Sequence, residues 1–167
     1  GDVVSTAQTV AKETVIKAVR GVSSVAGSGI DAVGDVVSGG VEAVAGTGIV
    51  FTDGVVALVR GVVDGAKDVG VSTTDAARQA ASSAVEATSR VGGDLGNAAV
   101  AAVSGAIKAA GDIGGDSGEL AKSATLGAIR AADEIGSEAG SLVRKALLGA
   151  AALPHDIIDA LLTGSKE

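Results

Sequence analysis

The chain holds one histidine, His155, between Pro154 and Asp156. An imidazole beside a carboxylate has the makings of a general base with its orienting partner. Pro154 sets the pair at a helix start, though, where the plainer reading is a first-turn surface residue. GGD at 92–94 and GGDSGE at 114–119 bring carboxylates and glycines together, but without the alternating ligands of a calcium loop. GSGIDA at 27–32 has loose dinucleotide-fingerprint spacing. That fingerprint must follow a strand, and a helix is expected here. No serine lies in a nucleophile-elbow pattern. Cysteine is absent, which removes thiolate chemistry and Cys-based metal sites. The expectation is a chain with no catalytic residues, no cofactor and no metal, so the elements themselves must carry the function.

Composition narrows what those elements can be. The 167 residues suit one domain, 1–167. Nearly half are hydrophobic, but Val, Ala, Ile and Leu supply almost all of it, beside 26 glycines. Phe51 is the only aromatic residue and reads as the plug of one gap between helices. Aromatic side chains bury the most area, so a core without them gains by bringing backbones close together. A net charge of −7 argues against nucleic acid, which selects basic surfaces. It also disfavours anionic membranes as an electrostatic partner. The most apolar region, 48–63, is interrupted by Asp53 and Arg60, short of the ~20 uncharged residues that span a bilayer. The first residue is Gly1, which fits a removed leader, initiator or tag.

The organising feature is a period of 22 residues. GAIKAAGDIG at 105–114 returns as GAIRAADEIG at 127–136, and blocks of 22 begun at Lys17 align the rest. The third column reads Val19, Val41, Val63, Val85, Ile107, Ile129, and the fourth is charged from Arg20 to Arg130. The tenth column carries Gly48, Gly70, Gly92, Gly114 and Gly136. Gly there suits a helix end in the left-handed conformation. The fifteenth reads Asp31, Asp53, Asp75, Asn97, Glu119, Ser141, side chains that cap helix N-termini. Fixed periods of this size mark stacked repeat units. Each unit is therefore predicted to be a helix of roughly 16–17 residues plus a Gly-containing loop. Units start near 9, 31, 53, 75, 97, 119 and 141; the first carries the capping-box pair Ser5 and Gln8, and Pro154 begins a short terminal helix at 154–163. Glycine also recurs inside the helices, at Gly39, Gly61, Gly105, Gly127 and Gly149. There it costs ~1 kcal/mol against Ala, and close helix contact would explain it.

The fold expected is all-α, about seven short antiparallel helices, thin-layered or bundle-like. A 22-residue amphipathic unit resembles those of the exchangeable apolipoproteins, and EAVAG at 42–46 resembles the synucleins. Gly and a capping acid punctuate this repeat, where the apolipoprotein unit is punctuated by Pro. A row of such helices has one apolar side to hide. It can curl into a bundle, lie on lipid, or pack against its own copies. Repetition favours the last, because identical units present surfaces that propagate without closing. The function expected is a non-enzymatic structural subunit that self-assembles into a filament, tube or sheath, extracellular or at the cell surface. Its assembly face is Val41, Val63, Val85, Ile107 and Ile129 with Gly61, Gly105 and Gly127, and its partner is itself. The alternatives are a coat on a lipid droplet or membrane surface and a helical bundle binding an apolar ligand.

Overall fold

Alanine-rich stretches with polar residues at spacings of three and four form helices, and helix is what the described residues adopt. The computed structural model describes residues 28–45, 51–68 and 70–150. Among these it holds six α-helices and no strand: α1 Ser28–Ala45, α2 Phe51–Asp68, α3 Thr73–Arg90, α4 Leu95–Ile113, α5 Ser117–Ile135 and α6 Ser137–Gly149. The first unit from residue 9, Gly48 and the terminal helix at 154–163 lie outside the described residues.

Three successive helices end in the same way. Val71 N–H donates to the Ala66 carbonyl, Gly93 to Thr88 and Gly115 to Ala110, each at 2.9 Å. Gly70, Gly92 and Gly114 sit just before those donors with φ of 80°, 74° and 71°. These are Schellman turns, in which glycine takes the left-handed position at no steric cost. The next turn breaks the series. Gly136 is extended, at φ 161°, and is the single residue between α5 and α6.

The helix starts correct the sequence reading. The caps are Ser72, Asp94 and Asp116, which accept from the backbone N–H of Asp75 (3.3 Å), Asn97 (3.0 Å) and Glu119 (3.1 Å). The residues expected as caps are thus the capped ones, three positions inside the helix. Asp53, Asp75 and Glu119 fall in the first turn, where a carboxylate complements the helix dipole. Asp31 lies within α1 and Ser141 within α6, and α6 has no side-chain cap. The displacement has a simple cause: residues three apart stand nearly one turn apart, so two acid-rich columns at that offset look alike from sequence.

Helices α1 to α5 pack chiefly on a second neighbour along the chain, α1 with α3, α3 with α5 and α2 with α4, while α6 rests on α5 at least as much as on α4. Gly34 meets Ser83 and Glu42 meets Arg90, so α1 and α3 run the same way. Gly105 meets Val56 and Asp112 meets Arg60, so α2 and α4 do too. The chain therefore shuttles between two rows, and each row is the dry partner of the other. Val41, Val63 and Val85 are fully buried, Ile107 and Ile129 pack half-buried against the core, and Gly61, Gly105 and Gly127 are buried. This corrects the picture of a single row with an uncovered apolar side. Most of the core is alanine, so little area is hidden per residue and close approach of the backbones matters more. Phe51 is half-buried at the start of α2, its ring near Gly93.

Candidate functional site

The same backbone contact is made twice. A Cβ on Gly105 would stand 2.7 Å from the Val56 carbonyl oxygen, and one on Gly127 would strike the Arg78 carbonyl. Both members of the second contact lie 22 positions beyond those of the first. Glycine is what admits the neighbouring helix at these points. Gly39 and Gly149 share the column but face open space, with nothing within 4 Å of a built Cβ.

Charged side chains clasp the helices from outside. Arg60 Nε and Nη2 donate to Asp112 at 2.7 Å each, joining α2 to α4. Arg144 donates to both oxygens of Asp133 at 2.7 and 2.9 Å, joining α6 to α5. Arg90 lies 3.5 Å from Glu42, joining α3 to α1. The bond to Arg144 holds the Asp133 carboxyl below the usual range, and the same bond raises Arg144. Arg60 is raised by its bond to Asp112, against partial desolvation, with smaller contributions from the charges of Asp112 and of Asp64 one turn on. Asp64 is nearly buried, an exception to the expected solvated charged column. These pairs are half-exposed, and such pairs contribute about 0–1 kcal/mol each; their use is to fix which helix lies beside which.

Among the described residues, the exposed large apolar side chains are Val91, Leu126, Ile135, Leu142 and Leu148. Four of the five belong to α5 and α6. Leu126 and Leu148 occupy a column that earlier reads Ser38, Arg60, Ser82, Ser104. That switch from polar to apolar is the signal in the sequence that marks them. The caps Ser72, Asp94 and Asp116 were likewise marked, by an acceptor three residues before an acid or amide. Open grooves accompany the exposed residues. One of about 950 Å³ is lined by Leu95, Ile135, Ala139 and Leu142. Another of about 590 Å³ runs between α2, α4 and α6 past Val56, Val100 and Ala146. A third, about 520 Å³, holds Leu126 and Ile129 between Arg78, Arg130, Asp133 and Glu134.

No three His, Cys, Asp or Glu side chains among the described residues are grouped to hold a metal ion. His155 lies outside those residues. No described helix is long and apolar enough to cross a membrane. No family model, curated protein or solved structure matches the chain.

Proposed function

We propose that the protein is a non-enzymatic structural subunit that self-assembles into a filament, tube or sheath outside the cell or at its surface. Its building block is a 22-residue capped helix, used about seven times. The observation that carries this reading is the repeated contact: Gly105 on the Val56 carbonyl and Gly127 on the Arg78 carbonyl, one repeat interval apart. Units related by such a step extend a stack without closing it, and heterologous contacts of this kind generate open polymers. The Schellman turns at Gly70, Gly92 and Gly114 keep the step constant. The small apolar columns bind helices within one molecule, so contacts between molecules fall to the exposed Leu126, Ile135, Leu142 and Leu148.

Sedimentation velocity and negative-stain microscopy of the pure chain without lipid test the reading. Large particles or fibres are expected, and the double substitution Leu126→Lys, Leu148→Lys should dissolve them while leaving helicity intact. A stable helical monomer at high concentration would overturn the proposal. Helicity that rises only when vesicles are added would favour the lipid coat instead.

A further inference from the structure

The sixth helix is attached differently from α3, α4 and α5. Helices α3, α4 and α5 each begin on a side-chain cap after a connection that includes a left-handed glycine. Helix α6 follows α5 across Gly136 alone and begins without a side-chain cap. Gly136 N–H still donates to Ala132 at 3.1 Å, and its carbonyl accepts from Gly140 at 3.0 Å. It therefore belongs to both helices at once, one peptide link wide.

Helix α6 is also thinly held. It buries Gly140, Val143 and Leu147, where α3 buries nine residues. Open grooves flank it on both sides, one past Leu95 and Leu142 and one past Val100 and Ala146. The clasp is the two-pronged bond from Arg144 to Asp133 on α5. Gly140 makes room for it, since a Cβ there would strike the Asp133 carboxylate.

We propose that α6 is a hinged flap, pivoting at Gly136 and latched by Arg144 on Asp133. Opening lifts Val143 and Leu147 from α4 and α5 and merges the two flanking grooves into one apolar surface. A segment with few buried contacts opens locally at a smaller free-energy cost than the whole fold. A glycine pivot leaves the connecting backbone more conformations than any other residue would. This goes beyond the assembly reading and concerns the unassembled chain, in which the exposed face of α6 is free.

The absence of cysteine makes thiol labelling a clean test. Leu147→Cys in α6 and Val85→Cys in α3 each place a thiol at a fully buried position. Leu147→Cys should react about tenfold faster or more. Adding Asp133→Asn should speed it a further two- to fivefold, roughly the worth of one exposed ion pair, and leave Val85→Cys unchanged. Equal labelling rates for the two thiols would overturn the flap, because α6 would then open only with the whole fold. An unchanged Leu147→Cys rate on Asp133→Asn would overturn the latch. Hydrogen exchange of the unsubstituted chain gives a second reading without a core substitution. Amides of α6 should exchange faster than those of α3, with rates insensitive to low denaturant; exchange at a common rate would again overturn the proposal.

Discussion

The Cα of Gly127 lies so close to the carbonyl oxygen of Arg78 that no side chain fits between them. Helices α3 and α5 meet there backbone to backbone, and because the obstacle is a backbone carbonyl it has no rotamer with which to yield. These two neighbours within one row of the fold are held at a spacing that only glycine permits at this point.

Glycines of one sequence column should therefore respond to alanine with opposite signs. Gly127→Ala and Gly105→Ala are expected to destabilise by about 1–3 kcal/mol, the usual cost of overpacking. Gly39→Ala, in the middle of α1 with open space around it, should stabilise by about 0.5–1 kcal/mol through helix propensity. Urea unfolding of the three variants decides it, and a common sign would refute the assignment of the contacts.

The caps can be told from the capped residues. Asp94→Ala and Asp116→Ala should each cost about 1 kcal/mol, because each leaves a first-turn N–H without its acceptor. Asn97→Ala should be close to neutral, since its side chain is exposed and only its backbone takes part. Thermal unfolding midpoints provide the comparison.

Turn glycines divide by backbone angle. Replacing Gly92 or Gly114 with Ala forces an L residue into the left-handed region, at about 1–2 kcal/mol. Gly136→Ala should change stability by less than about 0.5 kcal/mol, because its backbone is extended and no atom lies within 4 Å of a built Cβ. A large loss at Gly136 would show that the α5–α6 link is more constrained than its geometry implies.

Acid should release α6 in a defined direction. The bond from Arg144 lowers the folded-state pKa of Asp133 below its unfolded value. The stabilisation is thus complete above the ordinary carboxylate range and is lost as pH falls through the lowered folded value, below about pH 4. Arg130 and Glu134 of α5 and Arg78 of α3 line the same groove, so the carboxyl should be followed directly by NMR titration. Arg144→Gln should bring its midpoint back up; an unmoved midpoint would mean that the bond does not form in solution.

Helical identity was legible from the sequence because its determinants are local. Small apolar residues at helical spacing, and glycines followed by Ser or Asp, act within a few positions of themselves. The left-handed turns at Gly70, Gly92 and Gly114 are events of that kind. The caps were local too, but Ser72 and Asp75, or Asp116 and Glu119, differ by nearly a turn, and composition alone does not say which of two acceptors comes first.

Only the tertiary structure decided that Gly105 and Gly127 lie against carbonyls while Gly39 lies in the open. The reason is that the column is the same but the neighbours are not: α4 and α5 have a helix two places back to rest on, and among the described residues nothing occupies that place beside α1. It likewise decided that Val41, Val63 and Val85 serve one molecule's own core. Amphipathic spacing states that a face must be dried; which surface dries it is settled by the way the whole chain packs.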